Sequence, residues 1–207
     1  MYLYLRESNE KTNEEGFFRD AFTDYNARAR LGLSRQEAET APLARGPYGK
    51  PHFTRLPRVH FSISHSGRYT ACLFADAEVG LDAEDLAMRR AQDERRRARA
   101  ASADGDAGCA RYLKIAGRHF REDERRAAEE AAAHGYNALM ACFFLIWTRK
   151  EAYVKYTGRG LGAGLGTFSV LDGALGVHFG GARVRPDLAL SHCRATEKTL
   201  EGIVFLQ

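Results

Sequence analysis

An α+β fold in two halves is what this sequence predicts, on three observations. The order of candidate elements runs strand, helices, strands, and then helices and strands again. A chain of 207 residues accommodates one domain or two small fused halves. Its composition, 44% hydrophobic and 28% charged, is that of an ordinary globular protein able to bury a core without staples. The halves are expected at 1–83 and 84–207, meeting near Asp82–Leu86, with an Arg- and Ala-rich insertion at about 88–106.

The elements follow from local pattern. Residues 2–5 alternate as a first strand, and 14–31 read as a helix with Phe17, Phe18, Phe22 and Tyr25 near one face. Ser34 and Glu37 fit a capping box, so a second helix starts there and ends before Pro42. The glycines and prolines of 46–53 impose a fixed turn rather than a helix or strand. In residues 60–66, Phe61 and Ile63 alternate with Ser62 and Ser64, as in a strand with one face on a core. Two further strands, 69–75 and 78–83, flank a turn at Ala75-Asp76-Ala77. Residues 88–106 have almost no apolar stripe and read as a solvated helix or linker, with a docking patch for an acidic partner as the functional alternative. Helices are expected at 109–120, 121–134 and 137–157, the last stopped by Gly158. Strands are expected at 167–171, 173–179, 188–193 and 200–206.

Composition excludes some classes and leaves others. The longest apolar run, 138–147, is too short to span a bilayer, and the start lacks a secretion signal, so no membrane association is expected. Cys72, Cys109, Cys142 and Cys193 are far apart with no Cys-x-x-Cys, which reads as free thiols of a cytoplasmic protein. The seven histidines have no zinc spacing. A net charge of +4 permits an anionic partner without choosing its kind. Nucleic acid is disfavoured, because no aromatic residues interleave the arginines for stacking.

Candidate chemistry sits in four places. Lys50 lies in the constrained loop Gly49-Lys50-Pro51, either as a point charge for a phosphate or as a solvated turn lysine. Ser64 and His65 end a strand, as donors for an anion or as satisfied turn residues. No Gly-x-Ser-x-Gly elbow surrounds them, so they are not read as a hydrolase site. Asp82 and Glu84 are two apart on a strand, so their carboxylates share a face; they repel unless a cation lies between them, and Mg²⁺ suits so few oxygens. The alternative is an exposed acidic strand end. Trp147, Glu151 and Lys155 are four apart on one helix face, as a site or as a core Trp beside an ordinary ion pair. The following glycines, at alternate positions from Gly158 to Gly164, lack the Lys-Ser/Thr of a phosphate loop.

Taken in order, Gly-Lys-Pro, Ile-Ser-His-Ser, Gly-x-Asp-x-Glu and Trp-Thr-x-Lys-Glu-Ala-x-x-Lys-x-x-Gly-x-Gly-Leu resemble the 4′-phosphopantetheinyl transferases of the surfactin-synthetase-activating (Sfp) type. The matching segments run from Gly49 to Leu161. The resemblance implies two pseudo-two-fold α+β halves with the active site in the cleft between them. It implies Mg²⁺-dependent transfer of the phosphopantetheine arm of coenzyme A to a serine of an acyl or peptidyl carrier protein, releasing 3′,5′-adenosine bisphosphate. Asp82, Glu84 and Glu151 match the metal-binding carboxylates, with Mn²⁺ as a substitute ion. Lys50, Ser64 and His65 match residues that hold coenzyme A phosphates, and Lys155 matches the lysine beside the pyrophosphate. Glu151 is the candidate base, with a metal-bound water as the alternative. Trp147 is expected to fix its helix in the core, and Lys150 to contact a phosphate or a surface carboxylate. Glu124 falls where a further acidic residue is often found, and Arg118-His119-Phe120 stands where the family often has Arg-Phe-Phe. Arg30, Arg35 and Arg45 are candidates for the 3′-phosphate. A monomer is expected, and a non-catalytic module binding carrier protein or coenzyme A is the alternative reading.

Overall fold

The structure is a computed structural model and describes residues 1–8, 13–99, 107–160, 164–182, 184–197 and 199–206. In chain order the elements are β1 (Tyr2–Glu7), α1 (Glu14–Ala29), α2 (Arg35–Glu39), β2 (Leu43–Arg45), β3 (Pro51–Phe53), β4 (His60–Ser66), β5 (Tyr69–Ala75) and β6 (Gly80–Asp85). They continue with α3 (Leu86–Arg99), α4 (Ala107–His119), α5 (Glu122–Ala133), α6 (Tyr136–Thr157), a 3₁₀ turn (Leu165–Thr167), β7 (His178–Gly181), β8 (Leu188–Arg194) and β9 (Gly202–Phe205). The mixed α+β expectation holds. The strands form a four-stranded sheet β4-β5-β1-β9, a short β2-β3 hairpin and a three-stranded sheet β6-β8-β7. The expected division at Ala83–Glu84 falls inside β6, and β9 crosses back to pair in parallel with β1.

Strand periodicity sorts the core into layers. On β1 and β5, Tyr4, Cys72 and Phe74 face α1, where Phe17, Phe18, Phe22 and Tyr25 meet them as expected from the helix face. The alternate residues Leu3, Leu5, Ala71 and Leu73 face the other way and pack on Leu81, Ala83 and Leu190 of the second sheet. A third cluster, with Tyr112, Leu139, Met140, Phe143 and Phe144, lies among α4, α5 and α6. The capping box at Ser34 and Glu37 forms as the spacing predicts, and Gly158 ends α6 in the left-handed conformation (φ 65°).

Several expectations need correction. Residues 51–53 are a strand, because Phe53 pairs with Leu43 and buries its ring against Phe18 and Phe22. No strand forms over 167–171, and the next strand is confined to His178–Gly181. The backbone at 165–170 is captured by side chains instead. Lys150 Nζ donates to the carbonyls of Leu165 (2.8 Å) and Phe168 (2.6 Å), while Glu124 Oε1 accepts from Val170 N–H (2.8 Å). Lys150 and Glu124 pair at 2.7 Å with neither side chain exposed, so Lys150 is neither a phosphate contact nor a partner of a surface carboxylate. The Arg-rich segment also packs, through a polar anchor rather than an apolar stripe. Asp93 on α3 is buried and accepts from the hydroxyls of Tyr112 (2.7 Å) and Tyr136 (2.8 Å) and from Arg111 (3.2 Å). Residues 100–106 of the expected insertion lie outside the described residues.

Removing one partner of a buried ion pair strands the other charge, at a cost of about 3–5 kcal/mol. Lys150→Met is therefore expected to lower the unfolding free energy by that amount in urea titrations. The double variant Lys150→Met/Glu124→Met is expected to recover much of the loss, and equal losses in both would remove this role for the pair.

Candidate active site

β6 is an edge strand of its sheet, and its outward backbone is closed by serine side chains of β4. Ser62, Ser64 and Ser66 Oγ accept the N–H groups of Leu81 (2.9 Å), Ala83 (3.2 Å) and Asp85 (3.1 Å). Two residues per repeat on one strand meet two per repeat on the other, so the contacts stay in step. The same hydroxyls donate onward: Ser64 to Asp82 Oδ1 (2.8 Å) and Ser66 to Glu84 Oε2 (2.6 Å). Both carboxylates are thereby fixed at the seam between the two sheets.

α6 lies across β6 and β8. It approaches so closely at Gly80 that a Cβ there would stand 1.8 Å from the Ala152 carbonyl oxygen, so only glycine fits. Thr148 and Ser191 hydroxyls meet at 2.8 Å and fix the helix on β8. From this helix Lys155 Nζ donates to Asp82 Oδ1 (2.8 Å) and Ser64 Oγ (3.0 Å). Glu151, one turn back, has no hydrogen-bond or ion-pair partner among the described residues. Burial, then the nearby charges of Asp82 and Glu84, push its pKa up to about 6 against the opposing pull of Lys155. Burial also raises Asp82, although Lys155 and Ser64 oppose it. Glu84 is gripped by Arg89, whose Nε (3.1 Å) and Nη2 (3.0 and 2.9 Å) fork onto its carboxylate.

Glu151, Lys155 and Lys50 line one cleft of about 320 Å³, together with Tyr48, Ile63 and Gly160. A larger neighbouring cavity of about 730 Å³ shares Tyr48, Lys50, Pro51, Phe61 and Gly158 with it and adds His52, His60 and Glu78. The donors expected there are largely committed within the chain. Lys50 Nζ bonds Glu78 Oε2 (2.5 Å) and the carbonyls of Val79 and Tyr156 (3.1 Å each). Ser64 is buried in the seam. His65 is not brought to the cleft: although it shares a strand face with the cleft-lining Phe61 and Ile63, it is exposed at the far end of β4 and faces Glu14 at 3.2 Å. Arg45 donates to Gly49 O (2.9 Å), and Arg35 pairs with Glu39 on the surface. Trp147 stacks on Phe143, with ring centroids 5.7 Å apart. It also meets His119 edge-on at 6.0 Å, so histidine keeps an aromatic contact there.

The donor chemistry fits a hard divalent cation, since Asp82, Glu84 and Glu151 supply only oxygens. The arrangement differs from the expected trio. Among the described residues no group of three His, Cys, Asp or Glu is gathered to hold an ion. Lys155 and Arg89 occupy Asp82 and Glu84 instead.

A model of the 4′-phosphopantetheinyl transferase superfamily matches residues 78–192, more than half the chain. This chain belongs to the 4′-phosphopantetheinyl transferase superfamily. The match begins at the approach to β6 and ends in β8, so it contains both carboxylates of the seam and the whole of α6. The transferase psf-1 of Bacillus pumilus is 32% identical over 121 residues, covering 58% of this chain and 41% of the relative. Sfp of Bacillus subtilis is 31% identical over 123 residues, covering 59% and 44%. AcpT of Salmonella typhimurium is 31% identical over 173 residues, covering 83% and 76%. The chain thus matches less than half the length of the two Bacillus relatives. Among the described residues no helix is long and apolar enough to cross a membrane.

The motifs of this superfamily member assign no role to Ser66, which ends Ile-Ser-His-Ser, and do not include Arg89. Ser66 was visible as the third beat of the Ser62-Ser64-Ser66 alternation, whereas Arg89 carries no signal beyond its place in the first turn of α3.

The sign of the Glu151 shift yields a test. The folded state holds that proton more tightly than an ordinary carboxylate of pKa 4.5, so its stabilisation is complete below that value and lost as pH rises through about 6. Glu151→Gln is expected to raise the thermal midpoint by about 2–4 °C near neutral pH, or about 1 kcal/mol, and to leave it unchanged near pH 4. Calorimetry at the two pH values checks this; an equal shift at both would remove the titration as its cause.

Proposed function

We propose that the chain transfers the 4′-phosphopantetheine arm of coenzyme A to a serine hydroxyl of an acyl or peptidyl carrier protein, releasing 3′,5′-adenosine bisphosphate. The observation that carries the reading is the convergence of Glu151 and Lys155 from one helix face with Asp82 from β6, beside the cleft that Lys50 also lines. Membership of the family supports the same reaction.

In this reading the chain's own residues do three things. Lys155 lies one helical turn from Glu151 and places an ammonium where charge builds on the leaving phosphate as the pyrophosphate bond breaks. Glu151, which reaches the cleft from α6, takes the proton of the attacking serine. Pro51, Phe61 and Ile63 give the cleft an apolar wall beside the reacting groups. Asp82, Glu84 and Glu151 would hold Mg²⁺, or Mn²⁺ in its place, which supplies Lewis-acid stabilisation of the phosphate oxygens. Lys50, Ser64 and His65 enter as phosphate contacts only if they leave their present partners, so the cleft-lining Lys50 is the strongest of the three.

Residues 1–83 and 84–207 act as pseudo-two-fold halves with the reaction in the cleft between them, β9 lending its edge to the first sheet. The exposed arginines of α3, Arg95, Arg96 and Arg99, suit an acidic carrier surface and not nucleic acid. The chain works as a cytoplasmic monomer.

Incubation of the purified chain with coenzyme A, Mg²⁺ and carrier proteins, read by intact mass, is expected to add one phosphopantetheine to the carrier. Glu151→Gln and Lys155→Met are each expected to slow that gain at least about 100-fold with the fold retained by circular dichroism. Calorimetric binding of coenzyme A or carrier with no mass gain on any carrier would instead make the chain a non-catalytic module.

A further inference from the structure

Glu84 carries a cation from its own chain in a geometry unlike that of its neighbours. Arg89 follows β6 by a single helical turn, so its side chain folds back onto the strand end. Both Nε and Nη2 donate to the carboxylate, at 2.9–3.1 Å, and Ser66 Oγ adds a third donor at 2.6 Å. The carboxylate is nearly buried while the guanidinium side is 31% exposed. Arg89 is thus the more exposed partner, at the edge of a small cavity lined by Tyr112, Phe143 and Trp147, whereas Ser66 holds Glu84 from β4.

The charge count around this point is unequal. Three carboxylates, Asp82, Glu84 and Glu151, face two resident cations, Lys155 and Arg89. Lys155 reaches Asp82 from α6, the helix that also carries Glu151. Arg89 comes from α3 and lines a separate small cavity of about 120 Å³ with Glu84, Arg111, Tyr112 and Trp147, away from the Glu151 cleft. It therefore contributes charge to the acidic group without facing that cleft.

We propose that Arg89 is a resident counter-cation that occupies Glu84 in the ion-free protein and competes with a divalent cation for that carboxylate. The inference rests on the reading that the acidic group takes such an ion. Binding proceeds by exchange: the guanidinium leaves Glu84, the ion takes the freed oxygens, and Ser66 keeps the carboxylate in place throughout. Arg89 then sets how much free ion the site requires.

Manganese alone, titrated into the full-length chain and read by the paramagnetic resonance of free Mn²⁺, tests the exchange. Arg89→Gln is expected to tighten Mn²⁺ binding about ten-fold, and Arg89→Lys, which keeps the charge and loses the fork, by less. Arg90→Gln removes the same charge one residue along, from a guanidinium whose Nε has no partner among the described residues, and is expected to stay within about two-fold of wild type. Unchanged or weaker binding in Arg89→Gln, or an equal gain in Arg90→Gln, overturns the competition. Absence of Mn²⁺ binding in every protein also overturns it, while phosphopantetheine transfer by the wild-type chain would leave the transferase reading standing. Should Arg89→Gln lose its fold, Arg89→Lys with unaltered affinity serves as the overturning result.

Discussion

The structure depends on a seam of three serine hydroxyls. An edge strand exposes a row of N–H groups that must be covered or wetted. Here β6 is covered by Ser62, Ser64 and Ser66, each accepting one N–H. Leaving such a buried donor unmatched would cost about 1–3 kcal/mol each. A hydroxyl can donate as well as accept, so two of the three pass a hydrogen bond on to Asp82 and Glu84. The contact that joins the sheets is therefore also the contact that orients the acidic pair. Mobility of the carboxylates is restricted by the same bonds that hold the fold.

With the pair fixed, electrostatics decides the rest. Two carboxylates at a seam that excludes water need cations, and the chain supplies Lys155 and Arg89. Glu151 arrives third and finds no partner among the described residues, so burial first, and the charges of Asp82 and Glu84 after it, raise its pKa. A carboxylate in that state can accept a proton near neutral pH or share a cation, and both uses suit phosphoryl chemistry. The single helix α6 makes this possible because Glu151 and Lys155 project one turn apart. Their separation is then set by helix geometry and not by loop packing.

What was legible in the sequence was period and punctuation. The apolar face of α1, the capping box at Ser34, the Gly158 stop and the alternation of β4 all follow from local rules, and all are present. Period alone does not say what lies opposite a face. Ser64 reads as a donor for an anion, yet it and the other β4 serines bond the backbone of β6, each across 19 positions of sequence. His65 falls on the other face by the same alternation. Adjacent Lys150 and Glu151 look alike in sequence, but a helix turns about 100° per residue, so one is sealed in the core and the other reaches the cleft. Asp93 hid in a run of arginines because apolar patterning has no term for a polar anchor shared by two tyrosines. The strand expected at 167–171 failed because side chains of α5 and α6 took its backbone groups first.

α6 thus has two chemistries on two faces, and the buried one makes the open one dependable. On the inner side Thr148 bonds Ser191, Lys150 pairs with Glu124 and holds the 165–168 carbonyls, and Ala152 lies on Gly80. None of these contacts can slide by one residue: the ion pair fixes the axial position, and the missing Cβ at Gly80 fixes the depth. A helix pinned in both directions carries Glu151 and Lys155 to the seam at a fixed height. There Lys155 meets Asp82, which Ser64 has oriented independently from β4. The site is consequently the intersection of two separately anchored elements, and neither α6 nor β4 need rearrange for their functional groups to meet.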